Sequence, residues 1–356
     1  MALKVGKIQH PAISLFALGG TIASATRTGT EGARVSLSGK DLLAAVPGLD
    51  SIANLSVQSF RQVPSGDLTM QDALELVTAI QLEIVRGAQG IVVTLGTDTL
   101  EEMAFVLDLL LPSELPIVLT GAMRNSSRPG SDGAANLLGA VRVAVSAEAH
   151  GYGALVLFND EIHAARFVKK RHATSPATIG SPLTGPVGYI VEDRVRLLLR
   201  LPGRILIELP APVEAIKVGL VPIVFDDDGS LLSDGATAPY RGVVVAAFGG
   251  GHVPARLVPK LQRLNERIPV VVASRTFAGD MLHQTYAYPG GEMDLLARKL
   301  IFADAYDAIH ARVLLHLLLM AGASRATIAK TFEMGPSARG MMVVSAASIS
   351  GGGALG

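Results

Sequence analysis

The sequence predicts an α/β protein of two doubly wound domains, a larger N-terminal one over 1–195 and a smaller C-terminal one over 218–356. Three observations carry this. Apolar runs of five to seven residues alternate with amphipathic segments through most of the chain. The runs are apolar at every position rather than every second one, the pattern of strands buried on both faces in parallel sheets flanked by helices. The alternation lapses once, in RLLLRLPGRILIELPAPVEAIK (196–217), where three prolines and a helix-breaking glycine read as a linker. A chain of 356 residues is also too long for one ordinary core.

The first strand, ISLFAL (13–18), stops at Gly19 and Gly20, and Thr21 follows at once. The spacing then predicts a helix in MQDALELVTAIQLEIVRG (70–87), a strand in GIVVTL (90–95) and a helix in TLEEMAFVLDLLL (99–111). PIVLTG (116–121) is the next strand, SDGAANLLGAVRVAVSAEA (131–149) the next helix, and ALVLF (154–158) a further strand. Beyond the linker, GVVVAAF (242–248), PARLVPKLQRLNER (254–267) and PVVVAS (269–274) continue as strand, helix, strand. IHARVLLHLLLMAG (309–322) is too short to span a membrane and carries His310, Arg312 and His316, so it reads as a core or subunit-interface helix. The glycine-rich tail SISGGGALG (348–356) is expected to fray.

Composition narrows the function classes. Lys+Arg and Asp+Glu both number 31, so no global field steers nucleic acid or an anionic membrane to this chain. Aromatics make up 4% with no tryptophan, which argues against base stacking. The lack of cysteine excludes disulfides, thiolate nucleophiles and cysteine-ligated metal. MALKVGKIQHPAIS shows no apolar export signal, and a cytoplasmic location is the expectation. The sequence lacks a dinucleotide fingerprint, a phosphate loop, a G-x-S-x-G elbow and H-E-x-x-H spacing, and these absences narrow the field. FDDDGSLLSDG (225–235) has its glycine in the wrong place for a calcium loop and reads as an acidic turn.

Ligands of open parallel sheets bind beyond the carboxyl ends of the strands. Three polar turns lie there: Thr21, GTDT (96–99) and GAMRNSSRPGSDG (121–133). Each also has a plain structural reading. Thr21 could cap the next segment, and Asp98 or Thr99 could N-cap a helix whose first turn holds Glu101 and Glu102. RFVKKRH (166–172) could be a solvated basic run. The alternative is chemical. A threonine hydroxyl is a poor nucleophile until something accepts its proton, and a lysine held by an aspartate serves where no histidine is placed to do so. Gly19, Gly20 and Gly96 leave backbone N–H groups free to meet a substrate oxygen.

ALGGTIAS, VVTLGTDTLEEMAFVLDLLL, VLTGAMRNSSRPGSDGAANLLGAV, LVLFNDEIHAARFVKKRHAT and HARVLLHLLL resemble, in family order, the bacterial-type L-asparaginases. The resemblance spans residue 13 to about 320. It implies a large and a small α/β domain, a homotetramer of intimate dimers, and hydrolysis of L-asparagine to aspartate and ammonia without metal or cofactor. Thr21 then matches the nucleophile, and Thr97, Asp98 and Lys170 the second catalytic set, with Lys170 rather than Lys169 in register from Asn159-Asp160. Ser65 would hold the substrate α-carboxylate and Asp98 its α-amine, with Gly20, Gly66, Gly96 and Ala122 in the binding segments. His252 and Glu292 are the candidates for contacts from a neighbouring subunit.

The sequence departs from the family pattern twice. SATRTGTEGARVS (24–36), the loop after the first threonine, has no tyrosine to orient that residue, leaving Thr26, Arg27 or Thr28 for the role, and Gly66 stands where a glutamine is usual. Three other readings stay open: an amidase for another small amide, the ammonia-releasing subunit of a tRNA-dependent amidotransferase, and a silent binding protein on this fold. The amidotransferase subunit usually carries an extra N-terminal domain, whereas GGT here begins at residue 19.

Overall fold

The computed structural model describes residues 10–26, 32–336 and 340–345, so Arg27, Thr28 and the 348–356 tail lie outside the described residues. The chain divides into two compact units, Met1–Arg200 and Leu201–Gly356.

In the first unit the elements run β1 (Ala12–Gly19), β2 (Ser24–Ala25), β3 (Arg34–Val35), α1 (Gly39–Ala44), β4 (Asn54–Val63), α2 (Met70–Val85), β5 (Gly90–Thr94), α3 (Leu100–Leu110), β6 (Ile117–Thr120) and α4 (Gly133–Val145). They continue through β7 (Ala154–Phe158), β8 (Glu161–Ala164), β9 (Lys169–Lys170), β10 (Ile179–Gly180), β11 (Gly188–Val191) and β12 (Arg194–Leu197). Eight strands form one sheet in the order β12-β11-β8-β7-β6-β5-β1-β4. From β4 to β7 every pairing is parallel, and β5, β6 and β7 are buried throughout, which is why they read as continuous apolar runs.

The other end of this sheet is antiparallel, a departure from the purely parallel expectation. β7 returns as β8 through Asn159-Asp160, with φ of 51° and 62° at the two turn residues. Two residues in the left-handed region make a tight hairpin whose twist suits antiparallel strands, and no two-residue link can make a parallel crossover. The edge strand β4, NLSVQSFRQV, mixes exposed and half-buried residues and buries none fully, so it lacks the apolar run that reveals its neighbours.

The second unit contains β13 (Gly203–Ile207), β14 (Val218–Pro222), α5 (Asp234–Thr237), β15 (Gly242–Ala247), α6 (Val258–Arg267) and β16 (Val270–Ser274). It ends with α7 (Glu292–Ala297), β17 (Ile301–Phe302), α8 (Ala308–Met320), α9 (Arg325–Met334) and β18 (Gly340–Val344). β14-β15-β16-β17 is a parallel sheet, and β13 pairs in parallel with β18. The 196–217 segment is therefore not all linker, since β13 lies within it and the division between units falls after Arg200. α8 packs on β14, β15 and β16, and ten of its residues are buried, including His310 and His316. Its apolar character is thus used inside the chain and is no measure of surplus surface. The acidic 226–228 segment is a turn: Asp227 accepts the Gly229 N–H at 2.7 Å and Asp228 the Ser230 N–H at 2.8 Å.

Candidate active site

Three strand ends of the first unit meet in backbone contact. Gly20, just past β1, has φ +76°, and a Cβ there would lie 2.2 Å from the Gly96 nitrogen beyond β5. A Cβ on Gly96 would in turn sit 2.6 Å from Ser65 Oγ beyond β4. Only glycine permits this approach, which brings Gly20, Ser65 and Gly96 together around a cavity of about 440 Å³. Thr21, Asp98, Gln62 and Arg34 also line it. A wider hollow of about 960 Å³, lined by Leu43, Val46 and Leu49, contains none of these groups.

Two hydroxyls at the cavity stand without partners among the described residues. Ser65 is 2% exposed, and its Oγ makes no hydrogen bond. A buried hydroxyl left unpaired is unfavourable by about 1–3 kcal/mol, so its position is imposed from outside. Thr99 imposes it, donating its Oγ1–H to the Ser65 carbonyl at 2.9 Å. Thr21 heads a 3-10 turn (Thr21–Ala23), and its hydroxyl has no hydrogen-bond partner among the described residues.

The second set is joined by one amine. Lys170 Nζ donates to Thr97 Oγ1 at 2.9 Å and to Asp98 Oδ1 at 2.6 Å. Thr97 Oγ1 donates onward to Met123 Sδ at 3.3 Å. Met123 is held in the β6–α4 loop because the Asp132 carboxylate accepts the N–H groups of Met123 and Arg124, at 2.9 and 2.8 Å. The capping reading of Asp98 and Thr99 gives way here. α3 begins after Thr99 without a side-chain cap, since Thr99 is turned to Ser65 and Asp98 to Lys170.

The solvated reading of the basic run holds for Arg171 and His172, which are exposed, and gives way for the rest. Lys169 Nζ meets Glu101 Oε1 at 2.9 Å with both side chains 5% exposed, and Arg166 meets Asp108 at 3.4 Å, also buried. Adjacent lysines on a strand point to opposite sides. Lys169 therefore enters the interior while Lys170 reaches Asp98, which lines the cavity.

The model of the asparaginase N-terminal domain matches residues 12–202, and that of the glutaminase/asparaginase C-terminal domain matches 217–332. The chain belongs to the asparaginase family. It is 34% identical over 309 residues to an L-asparaginase of Bacillus licheniformis, covering 86% of this chain and 95% of that one. A probable L-asparaginase of Deinococcus radiodurans is 35% identical over 333 residues, 91% of this chain and 98% of the other. The crystal structure of a probable cytoplasmic L-asparaginase from Campylobacter jejuni superposes with a TM-score of 0.80 at 29% identity, over 91% of this chain and 99% of that one.

The remaining candidates fall in different places in this asparaginase-family chain. Ala122 is fully buried beside Thr97, between Gly121 and Met123. Gly66 faces open space, with nothing within 4 Å of where a Cβ would point. The loop after Thr21 is tied to the β6–α4 loop, since Thr26 N–H donates to Ser127 Oγ at 3.0 Å and Ser126 Oγ–H to the Ser24 carbonyl at 3.1 Å.

His252 and Glu292 pair with each other inside the second unit, Nε2 to Oε2 at 3.0 Å. Glu292 is fully buried, and its Oε1 accepts the N–H groups of Thr285 and Tyr286 at 2.6 and 2.5 Å. Burial pushes the Glu292 carboxyl up, but the backbone donors and His252 outweigh that and hold it below the usual carboxylate range. A carboxylate so enclosed holds His252, whose other nitrogen meets Tyr288 Oη at 3.1 Å, and has no surface to offer a substrate.

Sequence reasoning missed Met123, Gln62 and Arg34. Met123 and Arg34 carry no signal for their roles, whereas Gln62 lies three residues from Ser65 on the strand leading to it.

Proposed function

We propose that this chain hydrolyses L-asparagine to L-aspartate and ammonia through threonine hydroxyls. The observation that carries the reading is the single amine of Lys170 bridging Thr97 Oγ1 and Asp98 Oδ1 beside a cavity that holds the unpartnered Ser65 Oγ. In this reading Ser65 donates to the substrate α-carboxylate, which satisfies its hydroxyl, and Asp98 receives the α-amine. Thr21 attacks the side-chain amide carbon, and Lys170 and Asp98 carry the proton relayed by Thr97. The C–N bond breaks, ammonia leaves with the transferred proton, and water supplies the hydroxyl of the product carboxylate. The Gly96 N–H, which Gly20 approaches closely, receives the developing oxyanion, whereas the Gly20 N–H expected to share in this donates to the Val63 carbonyl at 3.0 Å.

A homotetramer acting in the cytoplasm completes the proposal. Family membership supports the assembly, as do Phe225 and Phe277, 95% and 67% exposed, which association would cover. Among the described residues no helix is long and apolar enough to cross a membrane. One feature of the sequence favours a second reading, a looser amidase: Gly66, next to Ser65, has no side-chain donor to help fix a substrate there. Ammonia release from a panel of amides tests both readings. The account expects asparagine to lead glutamine by about a hundredfold, because one added methylene misplaces the amide carbon. Faster turnover of glutamine, or of an amide lacking the α-amine, would reassign the substrate.

A further inference from the structure

Glu101 is buried one helical turn after Asp98 and takes no part in the chemistry above. Its two oxygens are used differently. Oε1 receives the Lys169 ammonium at 2.9 Å, and Oε2 receives the backbone N–H of Lys170 at 2.5 Å. We propose that Glu101, kept in place by Lys169, is a positioning residue that fixes the backbone of Lys170 so that its amine reaches Thr97 and Asp98. The inference rests on the reading of Lys170 as a catalytic group.

The geometry makes Lys170 a lever held at both ends. Its tip is bonded to Thr97 and Asp98, and its base to Glu101, and all three partners lie within residues 97–101 at the start of α3. One rigid turn therefore sets both the height of the lever and the place it touches. Strand β9 is only two residues long, and β10 is its sole sheet partner among the described residues. So short a pairing gives the lysine little support of its own, and the Lys170 N–H takes a carboxylate where a longer sheet would offer a carbonyl. A lysine side chain carries about 2 kcal/mol of rotamer entropy, so a displaced base leaves the tip several other places to go. A shift near 1 Å at a catalytic group lowers turnover by up to about a hundredfold.

A generic buried ion pair would stabilise or destabilise the fold without favouring Lys170. The two roles separate in paired variants that both remove the charges. In E101Q/K169Q the side-chain carbonyl introduced at position 101 still accepts the Lys170 N–H, and its amide N–H donates to the amide introduced at position 169. In E101L/K169M the volume stays and the acceptor is lost. Purified proteins, checked by thermal unfolding, are compared for kcat and KM in ammonia release from asparagine. The expected result is a kcat for E101L/K169M at least about tenfold below that of E101Q/K169Q, with KM within about twofold. Equal kcat values, or a difference confined to KM, overturn the inference. Should E101L/K169M fail to fold, Glu101→Asp serves instead. It keeps the charge for Lys169 but is too short to serve both partners, and an undiminished kcat would overturn the inference equally. Wild type and Lys170→Met run alongside. A wild type without activity removes the proposed function itself, whereas an active wild type, an inactive Lys170→Met and matched pair variants remove only the role of Glu101.

Discussion

Two neighbouring lysine–carboxylate pairs, 2.9 and 2.6 Å long, tie β9 to the segment where α3 begins and differ in nearly everything else. Lys169 and Glu101 are both 5% exposed, whereas Lys170 is 19% and Asp98 74% exposed. The buried pair encloses two charges whose desolvation must be matched by good geometry, and the open pair leaves its aspartate in water. Chain order does not distinguish them, since the lysines are adjacent and the carboxylates three residues apart. What differs is which side of a strand each lysine occupies. Burial makes one pair a fold determinant, and the other, whose Asp98 lines the cavity, is the pair to which the proposed function assigns a chemical role.

The contrast breaks most visibly if the buried pair is cut. Lys169→Met leaves the Glu101 carboxylate enclosed without this cation, and we expect a loss of about 3–5 kcal/mol in stability, read as the urea midpoint. Lys170→Met should change stability by less than about 1 kcal/mol, because its partner is largely solvated. Similar midpoints for the two variants would dissolve the distinction.

His163 extends the contrast to a buried group that folds uncharged. It is fully buried, with Nδ1 3.0 Å from Ser181 Oγ. Burial first, and then the charge of Arg171, lower its pKa from 6.5 to about 4 despite Glu161 at 3.2 Å. Between these two values the unfolded chain binds the proton and the folded chain does not. Stability tied to His163 is thus fully present above about pH 6.5 and falls as pH drops toward 4, by about 3 kcal/mol in all. His163→Gln should flatten that slope in thermal melts from pH 4 to 7, and an unchanged slope would count against this account of the histidine.

At the open pair the effects move from folding to turnover. Thr21→Ala and Thr97→Val should each cut kcat by at least about a hundredfold, equivalent to about 2.7 kcal/mol, with normal unfolding curves. Near-normal turnover in a folded variant would remove that hydroxyl from the chemistry. Ser65→Ala is the mildest change. It should raise KM about tenfold by deleting a donor to the substrate, and should raise thermal stability slightly by removing an unpartnered buried hydroxyl. A drop in stability with KM unchanged would make Ser65 a structural residue.

Much of this is legible in the sequence, for reasons that differ by region. Interior strands such as β5 and β7 are buried at every position, so an apolar run locates them to within a residue or so. β11 and β12 alternate in exposure and β4 buries no residue fully, so none shows a continuous apolar run, and the tight Asn159-Asp160 hairpin reverses a chain that the βα rhythm would keep crossing over. At the site, the turn after each strand is visible as Gly20-Thr21 and Gly96-Thr97-Asp98 because close backbone approach needs glycine. The capping alternative uses the same residues, and only tertiary contacts separate it from the catalytic one. In sequence Thr99 is free to cap α3; in the fold Ser65 takes its hydroxyl. Met123 and Glu101 act through partners 26 and 68 residues away, a separation at which local pattern carries no information.

The measurement closest to the central claim is kcat for ammonia release from L-asparagine by Lys170→Met and Lys169→Met, made alongside their urea unfolding curves. The account predicts that Lys170→Met loses at least about a hundredfold in kcat with its midpoint near wild type, while Lys169→Met unfolds at lower urea and keeps the greater kcat per folded molecule. Equal losses of kcat, or a larger loss at Lys169, would contradict it.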